Sequence, residues 1–241
     1  MAKMEHEHSE ESIRARLAAG PRHSYVRDWI YGGIDGSVTT FAIVSGVVGA
    51  ELAPAVILVM GFANLVADGF SMAASNFMGT RAEQEDLKQL EAVEYRHIAT
   101  VPEGEREEVR QIYQEKGFEG EELERIVALI TADRKRWVQT MLTEEYGLPR
   151  EVRSPWLAAG STFSAFLLCG LAPLIPYLFG MTNAFWFATL LTGAVFFAIG
   201  SVKSMWSTSP WWRSGTETLL VGSAAAGLAY VIGALLGDLA R

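Results

Sequence analysis

Asp28-Trp-Ile-Tyr-Gly-Gly-Ile-Asp35-Gly-Ser-Val-Thr-Thr-Phe41 opens an apolar stretch that runs to Ala50 with no charge after Asp35. About 20 consecutive apolar residues suffice to cross a bilayer as a helix, so the stretch reads as a membrane span with Asp35 inside it. A carboxylate at that depth costs at least about 2–3 kcal/mol and marks a functional site by default.

Across all 241 residues the averages look almost soluble, with 20% charged and 50% hydrophobic residues. Those averages conceal a partition. Residues 81–153 are dense in Glu, Lys and Arg, whereas 29–80 and 155–238 are almost free of charge. Four more stretches, 54–79, 155–179, 182–206 and 215–238, join 27–50 as candidate spans. The predicted fold is an all-α membrane protein: five transmembrane helices with a helical insert between the second and third. The segments are a tail over 1–24, two spans over 25–80, the insert over 81–153 and three spans over 154–241. Pro173 and Pro176 predict a kink near the end of the third span. Gly32, Gly33, Gly36, Gly46 and Gly49 give the first span small faces suited to close helix packing. In the insert, the second span's helix continues to Thr100, and further helices are predicted over 104–116, 120–132 and 134–146.

A net charge of −8 without a basic stripe argues against nucleic acid as a partner. Cys169 is the single cysteine, which excludes an internal disulfide and a cysteine-cluster zinc site. The first 21 residues lack the early apolar run of a cleavable signal peptide. They read as a solvated tail, although Glu5-His-Glu-His8 could hold a metal weakly. Basic residues set the expected orientation. Arg14, Arg16, Arg22 and Arg27 precede the first span; Arg81, Arg150 and Arg153 flank the insert; Lys203 and Arg213 lie between the last two spans. Glu51, the Met181–Asn183 turn and the end with Asp238 and Arg241 fall on the other side. The positive-inside rule then puts the N-terminus and residues 81–153 in the cytoplasm and the C-terminus outside.

On a helix, Asp28, Asp35 and Thr39 fall within about 40° of one another. Asn64, Asp68, Ser71, Met72 and Ser75 cluster within about 100° on the second span. Two apolar helices, each with a carboxylate-bearing stripe, suggest a shared polar pathway. For the hydroxyls, helix packing explains the pattern as well. Asp35 and Asp68 need partners or ligands. Met72 on its own reads as packing; beside carboxylates its thioether could instead favour a transition metal. In the insert, Glu83 and Asp86 at i, i+3 are followed eleven residues later by Glu94 and His97 at the same spacing. All four project from one helix face, which fits either a carboxylate metal helix or a solvated acidic one. Trp137, Met141 and Glu145 line a face of the last insert helix. Lys203 and Glu217 could pair as a gate or simply extend to the interface. No P-loop, dinucleotide fingerprint, serine elbow or zinc-protease motif occurs.

These residues resemble the vacuolar iron transporter family, which includes fungal vacuolar iron/manganese transporters and plant nodulin-like relatives. The resemblance runs from about Tyr25 to Leu239. It is carried by Tyr31-Gly-Gly-Ile-Asp35-Gly-Ser-Val-Thr-Thr-Phe41, Asn64-Leu-Val-Ala-Asp68-Gly-Phe-Ser-Met72-Ala, Thr100-Val-Pro102 and Trp137-x-x-x-Met141-x-x-x-Glu145-Tyr-Gly-Leu. It implies a homodimer that exports Fe2+, and in some members Mn2+ or other divalent ions such as Co2+ and Zn2+, in exchange for protons. By this resemblance Asp35 and Met72 belong to the membrane metal pathway. Glu83, Asp86, Glu94 and His97 match four glutamates of plant-type members, and Met141 and Glu145 match later insert ligands. Asp86, His97, Gln139, Leu142 and Asn64 depart from the plant-type pattern, with Asp68 one turn on from Asn64 as a substitute. No prosthetic group is expected, and the metal is cargo.

Two other classes compete. Glu94-Tyr-Arg-His97 is half of a ferritin-like di-iron set, so a membrane-anchored oxidase is the alternative, although no second Glu-x-x-His occurs in the insert. A metal-stabilised structural anchor would move no ions at all.

Overall fold

The computed structural model describes residues 7–19, 24–149, 153–206 and 208–237, and among them every regular element is helical. The helices are α1 (Glu10–Ala19), α2 (Val26–Gly49), α3 (Pro54–Thr100), α4 (Pro102–Glu115), α5 (Gly120–Thr131), α6 (Arg134–Glu144), α7 (Pro155–Leu171), α8 (Ile175–Leu178), α9 (Ala184–Lys203) and α10 (Trp211–Leu236). Five helical stretches are long and apolar enough to cross a membrane: Val26–Gly49, Pro54–Thr100, Pro155–Leu178, Ala184–Lys203 and Trp211–Leu236. The Glu5-His-Glu-His8 expectation rests in part on Glu5 and His6, which lie outside the described residues, as do Arg22, Arg150, Asp238 and Arg241.

The chain divides into two compact units, 1–73 with 160–241, and 74–159. In the first, α2 is the central helix. Its small residues let two neighbours approach to backbone contact. A Cβ at Gly36 would lie 2.4 Å from the carbonyl oxygen of Phe166 on α7, and one at Gly49 would lie 2.3 Å from that of Tyr230 on α10. Without an apolar–water difference to drive association, membrane helices are held by such close packing. Phe41, Val44, Ile57, Leu65, Phe166 and Leu174 fill the core around these contacts, and Cys169 is buried beside Gly33. At the expected kink, α7 gives way to a 3₁₀ turn over Ala172–Leu174 before α8, because Pro173 and Pro176 lack the amide hydrogens that an α-helix needs. The last span starts earlier than its apolar run suggests, at Trp211 just after Pro210. Outward faces of α10 expose Leu220, Leu228, Val231 and Leu235, as lipid-facing helices do.

Gly36 and Gly79 are expected to respond to alanine with opposite signs. Gly36→Ala places a methyl group against a carbonyl that cannot yield, so a loss of about 1–3 kcal/mol or more is expected. Gly79 has nothing within 4 Å of a Cβ, so Gly79→Ala should gain up to about 1 kcal/mol of helix propensity. Thermal midpoints of the two purified variants, compared with wild type, test the pair.

The second unit holds α3 from Ala74 onward together with α4, α5 and α6. Pro102 starts α4 at a position where its missing amide hydrogen is not needed. Gly117, at φ +91°, ends the turn after α4 in a conformation that other residues adopt only with strain. The side chain of Asp133 caps α6 by accepting the Arg136 amide at 2.8 Å. Leu123, Val127 and Ile130 on α5 pack with Ile98, Val109, Trp137, Val138 and Met141 into a separate core.

Candidate functional site

Within the first unit, the stripes of α2 and α3 meet. Thr39 Oγ1 donates to the Asp35 carbonyl oxygen at 2.9 Å and accepts from Asn64 Nδ2 at 3.1 Å, which links the two helices one turn from the Asp35 carboxylate. Asp35 is half-buried, and Asp68 is the charged group that it feels. Among the described residues neither carboxylate has an ion-pair partner. Met72 is half-buried against the membrane core one turn beyond Asp68. Asp28 is buried at the start of α2, where its carbonyl oxygen accepts from Thr162 of α7 at 3.4 Å. Glu217 is paired with Arg213 on its own helix at 3.6 Å rather than with Lys203, because Arg213 stands one turn before it.

In the second unit Glu94 and His97 of the expected set lie together with Glu105, which spacing alone does not single out. Glu83 and Asp86 are exposed. Eleven residues of α-helix separate Glu83 from Glu94 by about 16 Å, far beyond the reach of one shared ion. The turn at Val101-Pro102 instead carries α4 back beside α3 and sets Glu105 next to Glu94. Glu94 is 1% exposed and Glu105 6% exposed, and each keeps one oxygen, Oε2, with no hydrogen-bond partner among the described residues. The Tyr146 hydroxyl donates to Glu94 Oε1 at 3.1 Å. His97 Nδ1 lies 3.3 Å from Glu105 Oε1 and 3.9 Å from Glu94 Oε1. Glu108 and Glu145 add negative charge close enough to be felt by their neighbours. Met141 is fully buried in the core beside them.

Burial, then repulsion from Glu94 and Glu108, pushes the Glu105 carboxyl up to about 7. Burial and the charges of Glu108 and Glu94 also raise Glu145, while His97 opposes the shift. Burial and the bond to Glu94 push the Tyr146 phenol up to about 12. Two buried carboxylates with orphaned oxygens are stable only when a proton or a cation lies between them. Among the described residues, no three His, Cys, Asp or Glu side chains converge closely enough to enclose a metal ion. Glu94, Glu105 and His97 are neighbours that do not by themselves enclose an ion. Glu105, Glu108 and Tyr146 are absent from the sequence-derived set. Glu105-x-x-Glu108 repeats the i, i+3 spacing of Glu94-x-x-His97 directly after Pro102, which was the available signal.

The raised Glu105 has a consequence for stability. Between about pH 4.5 and about pH 7 the folded, metal-free protein holds a proton that the unfolded chain has released. Its stabilisation is complete below about 4.5 and is lost as the pH rises through about 7, by up to about 3 kcal/mol. Glu105→Gln should flatten that dependence and raise the thermal midpoint at pH 8 in chelator. An unchanged pH profile in the variant would refute the assignment.

The VIT family profile matches residues 26–234. The chain is 32% identical to a vacuolar iron transporter of Toxoplasma gondii over 224 residues, covering 88% of this chain and 74% of that protein. It is 29% identical to vacuolar iron transporter 2 of Oryza sativa subsp. japonica over 208 residues, covering 85% of each. It is also 29% identical to vacuolar iron transporter 1 of Arabidopsis thaliana over 212 residues, covering 86% of this chain and 84% of that one.

Proposed function

This chain belongs to the VIT family, a family of transporters rather than enzymes, and on that premise we propose that it exports divalent iron from the cytosol. The observation that carries the reading is Asp35: a carboxylate inside a membrane helix with Asp68 as its charged neighbour and, among the described residues, no ion-pair partner for either. Carboxylates inside a membrane span mark an ion or proton pathway by default.

Residues 81–153 are read as the cytoplasmic capture domain. An ion drawn between Glu94 and Glu105 would replace their mutual repulsion, with His97, Glu108 and Glu145 within the same electrostatic cluster to complete its shell. The ion then passes to Asp35 and Met72, with Asp68 and Asn64 alongside. A homodimer would bring two copies of this pathway together, and the N-terminus would lie in the cytoplasm with the C-terminus outside. Protons drive release, since metal and proton compete for the same carboxylate oxygens. Carboxylate, imidazole and thioether donors together suit Fe2+ and Mn2+ better than Ca2+ or Mg2+.

The test is metal uptake by sealed proteoliposomes, without oxygen, across Fe2+, Mn2+, Co2+ and Zn2+ and with an imposed pH gradient. Fe2+ flux that accelerates with an opposing proton gradient is expected. Protein that binds metal but moves none would overturn the proposal.

A further inference from the structure

None of this chemistry uses the cavity beside α3 just beyond its apolar part. Phe77, Arg81, Gln84 and Lys88 follow one another at four, three and four residues and so share one face of the helix. That face meets Pro155 and Trp156, in the first turn of α7, across a cavity of about 310 Å3. The rings of Phe77 and Trp156 lie 4.7 Å apart at 57° and close its apolar side. Gln84 Nε2 donates to the Arg153 carbonyl oxygen at 2.9 Å, which holds the approach to α7 against α3.

The polar side is cationic. Arg81 and Lys88 face one carboxylate, Glu85, whose bond goes to Arg81 Nε at 2.8 Å. Among the described residues the terminal guanidinium nitrogens of Arg81 make no hydrogen bond, and Lys88 has no ion-pair partner. Arg81 is the first charge after the apolar run of α3, and Pro155 is the first residue of the third candidate span. The cavity thus occurs where two membrane helices leave the hydrocarbon. Trp156 is 77% exposed, at the headgroup depth that tryptophan favours.

We propose that this cavity binds the phosphate of an anionic phospholipid, with Lys88 and Arg81 on the phosphate and Trp156 against the glycerol and upper acyl chain. A basic, aromatic-walled recess at the bilayer boundary matches that ligand in charge, in polarity and in position. The inference requires only that α3 and α7 span the membrane. It is independent of which ion the protein carries, so its failure would leave the transport reading untouched.

Native mass spectrometry of the purified full chain in detergent, titrated with phosphatidylglycerol or phosphatidylcholine, tests it. Phosphatidylglycerol should bind more tightly than phosphatidylcholine. Lys88→Gln should weaken phosphatidylglycerol about fivefold, and Arg81→Gln with Lys88→Gln about 25-fold, while phosphatidylcholine is unaffected. Lys88 is exposed, so its single variant keeps the experiment decisive if the double variant unfolds. Wild-type phosphatidylglycerol binding by Lys88→Gln would overturn the proposal. So would displacement of the lipid by equimolar glycerol 3-phosphate, which would make the occupant a free phosphate ester.

Discussion

Asp35→Ala is expected to lower Fe2+ uptake into proteoliposomes about a hundredfold or more while leaving the protein folded. Outer-shell partners of a metal cost about 10- to 100-fold when removed, and a direct oxygen ligand should cost at least as much. The fold should survive because the Asp35 side chain has no ion-pair partner among the described residues to lose. The hydrogen bond that joins α2 to α3 uses its backbone carbonyl, which alanine retains. Asp35→Asn sharpens the test, since it preserves shape but removes the charge: flux should fall as far, and the residual flux should lose its dependence on the pH gradient. Asp28→Asn should cost less, because the Asp28 end of α2 packs on α7 and not on the Asn64 stripe. Native flux in Asp35→Ala, with intact size-exclusion behaviour, would eliminate this pathway.

The second large effect separates the two acidic pairs on α3. Glu94→Gln in the full chain should weaken Mn2+ binding about a hundredfold in calorimetric titration, whereas Glu83→Gln should change it less than about threefold. The contrast follows from burial. Glu94 is enclosed, faces Glu105 and has an oxygen with no partner, while Glu83 is exposed to solvent that screens its charge. Binding should also release protons near pH 7, because the Glu105 carboxyl, held up at about 7, is part-protonated there before the ion arrives. Equal losses in the two variants would show that the exposed pair binds as strongly as the buried one, and would remove Glu105 from the site.

Much of this molecule is legible along the chain. Five apolar stretches announce five helices because the bilayer sets a length and forbids charge. The Asp35 and Asp68 stripes are visible because a helix repeats every 3.6 residues, and Pro173 locates the break before α8 because proline has no amide hydrogen. The same local logic places α3 through Thr100 and the turn at Pro102. It also puts Glu83, Asp86, Glu94 and His97 on one face of α3, and does not say which other segments meet that face.

Only the tertiary structure decided which acidic residues meet. Glu94, Glu105 and Tyr146 come from three different segments, and they are neighbours because α4 folds back on α3 and the end of α6 reaches the same place. Likewise Thr39 and Asn64 touch because α2 and α3 meet within the first unit, not because their spacing requires it. By itself the sequence determined each helix and the face it would bury. The face that each one meets depends on packing between distant segments, and no local period encodes that.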